Sequence, residues 1–431
     1  MLQQLNSAVQ LFLQDRANTA PLVAALREVG ARYPRYRADI ENILIPRLQP
    51  LPPQPALQGV PPPVPPVAGG GGERGGKSTR TFVPVPRAEL TRPDQLIGYD
   101  QLKKFIKTKV VQPTKFPSFY PGAVKRKGFL MYGPGGTGKT AFARMVGYET
   151  ELPMFIVVPS DIQDPLVGEA EKHMRTLFQT AAAAAGNKGA IIFFDEADSI
   201  LGGTSQYTVG IKNEFKTQVS SPYIETKNII IIAATNNPES ITDLGIKRRL
   251  DVQIYVGLPI PEDRGNLIRF YSSKHITCSQ ADGLSVDDYA TLIALTAAYT
   301  PDELRRLVDA AFAATRPSKD ELMNLVYCNL PGGKYSATYP NPPATKDCYT
   351  IDQMSNLGAQ VCWPVAKFAD FQTALRVVSP TTRWRDLLNY YEHANESNDD
   401  EGRARVCVDL RQFKASPRNL QGKGDPLPQG C

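Results

Sequence analysis

Eight residues, Gly133-Pro134-Gly135-Gly136-Thr137-Gly138-Lys139-Thr140, narrow the folds open to this chain more than any other stretch. They fit the spacing G-x-x-x-x-G-K-[ST], follow the apolar run Gly128 to Tyr132 directly, and precede a helical pattern over Ala141 to Gly147. A strand, a glycine-rich turn and a helix in that order let backbone N–H groups converge in a nest that takes an anion. The helix N-terminus adds partial positive charge. Lys139 can reach β- and γ-phosphates, and the Thr140 hydroxyl can ligate Mg2+. The expected ligands are therefore ATP and Mg2+. An ordinary glycine-rich turn before a helix would need neither the full spacing nor the Lys-Thr pair.

A second stretch, Ile191-Ile192-Phe193-Phe194, is an apolar strand that stops at Asp195-Glu196. Buried strands often stop at polar residues, so this pair means little alone. After a phosphate loop, it assigns Asp195 to the Mg2+ shell and Glu196 to the attacking water as base. A second acid beside the metal acid points to hydrolysis rather than simple nucleotide binding. Asn228 to Ala234 forms a third apolar run, and amphipathic stretches such as Glu169 to Ala185 separate the runs. Apolar strands alternating with helices predict an α/β fold with a parallel sheet covered by helices on both faces.

Around this core the chain divides by composition. Residues 1–49 carry short helical patterns, with Leu5, Val9 and Phe12 and then Leu22, Leu26 and Val29 at helix spacing. Residues 50–80 are rich in Pro and then Gly and cannot bury a core, so they read as a linker. The ATPase core is expected over 81–259 and a small helical domain over 260–330, from helical patterns at Glu262 to Lys274, Val286 to Ala298 and Pro301 to Thr315. The stretch 331–366, rich in Pro, Gly, Tyr and Thr, reads as a short β-rich excursion or a long loop. Helices return over 367–395, and 396–431 is expected to be a polar, mobile tail.

Composition excludes several classes. The 431 residues carry a formal charge of +6, a mild bias that permits acidic partners or an anionic membrane but not a nucleic-acid-binding tail. The six cysteines form no C-x-x-C pair and the three histidines lie far apart, so no zinc site is expected. Reduced thiols in a cytoplasmic protein are the expectation. No targeting segment or membrane-length apolar run is evident, so any membrane role is peripheral or through a partner.

With both motifs in place, the order of the rest resembles AAA ATPases. Ala234-Thr235-Asn236-Asn237-Pro238 is similar to the family's sensor segment, which implies that Asn236 contacts the γ-phosphate or the attacking water. Lys247-Arg248-Arg249-Leu250-Asp251 before Ile254-Tyr255-Val256-Gly257-Leu258-Pro259 resembles the second region of homology. By that match Arg248 and Arg249 are arginine fingers reaching a neighbour's nucleotide. The family then implies a homo-hexameric ring with sites completed in trans. The resemblance also places Gly98 among the nucleotide contacts.

Over Pro93 to Asn395 the chain is most similar to the meiotic clade. Gln112-Pro113-Thr114-Lys115-Phe116-Pro117 looks like its P-x-K-F-P, and Tyr299-Thr300-Pro301-Asp302-Glu303-Leu304 looks like its Tyr-Ser-Gly-x-Asp-Ile. The long interval Arg316 to Ala366 resembles the β domain inserted in the branch that disassembles ESCRT-III polymers. The implied fold is a P-loop AAA+ sheet, a small helical lid with a β-rich insert, and a C-terminal helix. The implied activity is an ATP-driven translocase acting on ESCRT-III-like filaments. Residues 1–49 would be a reduced MIT-like module or an unrelated adaptor. The chain departs from the clade at the pore, where Pro165-Leu166-Val167-Gly168 replaces Lys-Trp-Val-Gly, so Leu166 and Val167 are the pore contacts. Leu offers less contact area than Trp. Microtubule severing and an ATP-gated scaffold that does not thread are the alternatives; no nucleic acid is expected as partner.

Overall fold

The computed structural model describes residues 80–116, 119–120, 128–166, 168–276, 283–316, 326–330, 334–338, 348–349, 360–362, 364–417 and 425–431. The expected N-terminal helical segment, and all of the linker before Arg80, lie outside the described residues.

Five short strands, β1 (Gly128–Tyr132), β2 (Met154–Val157), β3 (Ala190–Phe194), β4 (Ile229–Thr235) and β5 (Val252–Tyr255), make one parallel sheet in the order β2-β3-β4-β1-β5. The three inner strands are buried along their whole length, which is why each reads as a continuous apolar run. Alternate side chains feed opposite cores. Phe193, Ile230 and Ile232 pack with Phe142 and Val146 of α2 (Lys139–Thr150), over Ile106 of α1 (Asp100–Ile106). Phe194, Ile229 and Ile231 pack with Met174, Leu177 and Phe178 of α3 (Glu169–Ala184), beside α4 (Ala197–Leu201) and Phe215 of α5 (Gln206–Val219).

A helical subdomain follows, from α6 (Pro261–His275), α7 (Val286–Leu295) and α8 (Pro301–Ala314). Helix α9 (Phe368–Val377) closes it through Phe371 against Leu304, Val308 and Phe312. Two capping boxes, Ser285 with Asp288 and Thr300 with Glu303, fix where α7 and α8 begin; each cap is worth about 1 kcal/mol. Between α8 and α9, strands β6 (Val326–Leu330), β7 (Lys334–Thr338), β8 (Cys348–Tyr349) and β9 (Gln360–Cys362) form a second sheet in the order β8-β6-β7-β9. The stretch that read as an excursion or a loop is thus a β insert, and it begins at Val326, before the expected boundary at 331.

The expected polar tail is corrected. After α10 (Trp384–Glu396) comes α11 (Asp400–Ala415), whose Val406, Leu410 and Phe413 pack against Trp384, Leu387, Tyr132 and Tyr255. These three residues recur at helix spacing but are embedded in charged ones, and so hide a narrow apolar stripe. The expectation of reduced thiols is corrected for one pair. Cys407 and Cys431 form a disulfide with Cα atoms 5.1 Å apart. The segment 425–431 folds back onto α10, where the Tyr391 hydroxyl donates to the Gln429 carbonyl at 2.7 Å. A separation of 24 residues carries no pairing signature until the fold brings the ends together. Among the described residues no helix is long and apolar enough to cross a membrane.

Candidate active site

Strands β3, β4 and β1 are neighbours in register, with Phe194 opposite Ala233 and Tyr132 opposite Thr235. Their C-terminal ends therefore release Asp195, Asn236 and Gly133 side by side, at the edge where open α/β sheets bind ligands. The sheet brings the two sequence motifs together: the Thr140 hydroxyl donates to Asp195 Oδ2 at 2.8 Å. Lys139, 8% exposed, donates to the carbonyls of Gly133 at 2.8 Å and Pro134 at 2.7 Å. Burial pushes its ammonium down to about 8, opposed by Asp195 and Asp198. Glu196 is exposed and held at φ 49°, a left-handed conformation that costs a non-glycine residue on the order of 1 kcal/mol. Its N–H donates to Asp195 Oδ1 at 3.1 Å. The left-handed turn takes the chain out of β3 and into α4, so Glu196 is an exposed residue past the end of the buried strand.

Asn236 leaves β4 beside the phosphate loop, its amide nitrogen 3.8 Å from where a Cβ on Gly135 would stand. Its carbonyl accepts from the Tyr390 hydroxyl of α10 at 2.7 Å. Asp198 was not picked out from the sequence, yet it fastens this turn. It accepts from Thr235 Oγ1 at 2.8 Å, and Thr235 Oγ1 in turn accepts from the Asn237 N–H at 2.9 Å. The signal for it was a third carboxylate just past Asp195-Glu196.

The loop opens on a cavity of about 610 Å3 between sheet and helical subdomain. Ile97, Tyr99 and Phe142 form one wall, Leu267 and Tyr271 of α6 another, and Asp302 and Arg305 of α8 the third. Gly136, at φ 76°, faces α8; a Cβ there would come within 3.1 Å of Thr300 Oγ1 and of the Asp302 Cβ, so a side chain would be both crowded and strained. The Asp302 N–H donates to the Gly136 carbonyl at 3.3 Å. The helical pattern from Pro301 shows in the sequence that a helix begins here, but not that its first turn touches the phosphate loop. Gly98 packs against Asp263, and its neighbours Ile97 and Tyr99, rather than Gly98, line the cavity.

Three predicted residues lie away from the phosphates. Arg249 stands at the start of β1, since a Cβ on Gly128 would collide with its carbonyl. A five-residue strand puts roughly 17 Å between that end and the phosphate loop of the same chain. Arg248 is exposed there and its guanidinium has no hydrogen bond or ion pair with a described residue. Arg249 is tied down, donating to the Gly245 carbonyl at 2.7 Å and to Ser220 Oγ at 3.0 Å. Leu166 is 67% exposed on the loop after β2, and Val167 lies outside the described residues. That loop is linked to the hydrolysis pair, because Gln163 donates to the Ser199 carbonyl at 3.0 Å and the Asp195 N–H to the Val157 carbonyl at 2.9 Å.

The AAA model, described as ATPase family associated with various cellular activities, matches residues 129–258. Vacuolar protein sorting-associated protein 4 of Dictyostelium discoideum is 30% identical over 327 residues, 71% of this chain and 69% of that one. Spastin of the same organism is 32% identical over 239 residues, 54% of this chain and 35% of spastin. The solved AAA domain of FIGL-1 in complex with ADP has a TM-score of 0.52 at 26% identity, covering 70% of this chain and 88% of that domain. The chain is therefore a nucleotide-binding ATPase of the AAA family, within its meiotic clade.

Proposed function

We propose that this chain is one subunit of a hexameric ATP-driven translocase that remodels a protein polymer of the ESCRT-III kind. The observation that carries hydrolysis is Glu196, turned out of the sheet next to the bonded Thr140–Asp195 pair. Lys139 holds the phosphates of ATP, and Glu196 takes the proton of a water that Asn236 orients. The donor set fits Mg2+, which keeps several waters and takes one or two protein oxygens; Thr140 and Asp195 would hold it. When bound, Mg2+ supplies charge that neutralises phosphate oxygens. Arg248 is the finger offered to the adjacent subunit, with Arg249 bracing the turn that presents it.

The β insert between α8 and α9 supports the ESCRT-III branch. In this reading Leu166 and Val167 contact the threaded chain, and residues 1–49 bind substrate tails or an adaptor. The protein works in the cytoplasm and reaches membranes only through partners. The similarity to spastin favours a second reading, microtubule severing. Steady-state ATPase assays with Glu196→Gln as blank decide between them. Stimulation by ESCRT-III tail segments and not by microtubules is expected; the reverse pattern would move the substrate to tubulin, and no turnover would leave the scaffold.

A further inference from the structure

Residues 256–260 carry the chain from β5 into α6, and so from the sheet into the helical subdomain. This hinge is gripped at three successive residues. The Tyr99 hydroxyl donates to the Gly257 carbonyl at 3.0 Å, the Leu258 N–H donates to Asp409 Oδ2 at 2.8 Å, and Arg264 Nη1 donates to the Pro259 carbonyl at 2.9 Å. Asp409 comes from the middle of α11 and is 3% exposed. The same oxygen accepts from the Tyr255 hydroxyl at 2.8 Å. Gly257 makes room for it, because a Cβ there would stand 2.3 Å from Asp409 Oδ2.

Helix α11 also holds what lies on either side of the hinge. Asp399, at its N-terminus, accepts from the hydroxyl of Tyr132, the residue before Gly133, at 2.9 Å. One turn past Asp409, the Gln412 side-chain oxygen accepts from Arg264, which also donates to the Ile293 carbonyl in the helical subdomain. The hinge in turn borders the nucleotide cavity. Tyr99 bonds Gly257 and sets its ring 5.6 Å from that of Phe142, both in the cavity wall, while Leu267 and Tyr271 of α6 face them. A helix that merely covered apolar surface would need Val406, Leu410 and Phe413. It would not need a buried carboxylate, which is costly unless its bonds are specifically met.

We propose that Asp409 is a positioning residue for nucleotide exchange: by holding the Leu258 amide it fixes how the helical subdomain closes over the nucleotide cavity, with α11 as the clasp. The nucleotide half of this rests on the ATPase reading; the hinge half does not. The test uses the full chain, with two readouts. Amide hydrogen exchange follows Leu258 and, separately, residues 400–415; stopped-flow follows release of a fluorescent ADP. For Asp409→Ala, Leu258 exchange and ADP release should each rise at least about tenfold, the scale of leaving one buried N–H without its acceptor, while 400–415 stay protected. Asp409→Asn keeps an acceptor oxygen and should behave as the unaltered protein. Gln412→Ala should shift both readouts in the same direction but less. Unchanged exchange and release in Asp409→Ala and Gln412→Ala overturn the proposal. So does loss of protection throughout 400–415 in Asp409→Ala with Gln412→Ala silent, because α11 would then be only a cover. If the unaltered protein binds no ADP, the ATPase reading falls, and an unchanged Leu258 exchange in Asp409→Ala still overturns the hinge role.

Discussion

Lys139 enters the site with its ammonium pushed by burial to about 8, far below the ordinary lysine value. At pH 7 it is charged and attracts phosphate. As pH rises through about 8 the unliganded protein loses that proton, whereas phosphate contact favours keeping it. Nucleotide affinity should therefore fall between pH 7 and 9.5, and titration with a fluorescent ATP analogue at fixed ionic strength measures this. Equal affinity at both ends would show that Lys139 does not meet the phosphates. The two arginines separate in the same way, by what each touches. Arg248→Ala should keep fold and nucleotide binding and lose turnover by about 1,000-fold or more, the scale of what a trans finger supplies. Arg249→Ala also cuts bonds to Gly245 and Ser220, so its unfolding midpoint should drop by the equivalent of about 1 kcal/mol. Calorimetry beside the ATPase assay distinguishes the two, and matched melting curves would remove the bracing role.

Helix α11 and its disulfide set the next scale. The bond closes a 24-residue separation, and limiting the unfolded chain that way stabilises by roughly 3 kcal/mol. Denaturant unfolding with reductant should move down by about that much, and Cys431→Ser should show the low value with or without reductant. A reductant effect that persists in Cys431→Ser would place it elsewhere. Why this helix was invisible in the sequence is instructive beside what was visible. The inner strands are buried on both faces, so Ile229 to Ala234 and Ala190 to Phe194 could hardly be anything else. The edge strands β2 and β5 are four residues each and were missed. The phosphate loop and hydrolysis pair were legible because each is contiguous and its spacing is dictated by chemistry. Ile97, Tyr99, Tyr271 and Asp302 were not, because they share a cavity only after distant segments meet. In α11, much of the anchoring is polar, through Asp399 and Asp409 to two buried tyrosines, and periodicity of apolar residues does not register such bonds.

At the scale of the whole molecule, the Arg248–Arg249 turn and the phosphate loop sit at opposite ends of β1. A side chain at the start of that strand would have to span roughly 17 Å to serve its own site, well beyond an arginine. In the proposed ring, a head-to-tail interface would instead bring one subunit's Arg248 to the next subunit's Lys139 and Glu196. This makes a prediction that single variants cannot. Glu196→Gln removes the base but leaves a working finger; Arg248→Ala removes the finger but leaves a working base. Each alone should be inactive. Mixed in equal amounts and allowed to exchange, they regain a complete site wherever an Arg248→Ala subunit receives its neighbour's finger from a Glu196→Gln subunit, at about a quarter of interfaces in a randomly filled ring. ATPase activity should rise toward that fraction of the unaltered rate, whatever the ring's size, because the count concerns pairs of neighbours. Co-assembly is checked by pull-down through a tag on one variant only. If the two variants co-assemble and activity stays at the level of either alone, Arg248 does not complete the site in trans, and its exposure at the far end of β1 has some other use.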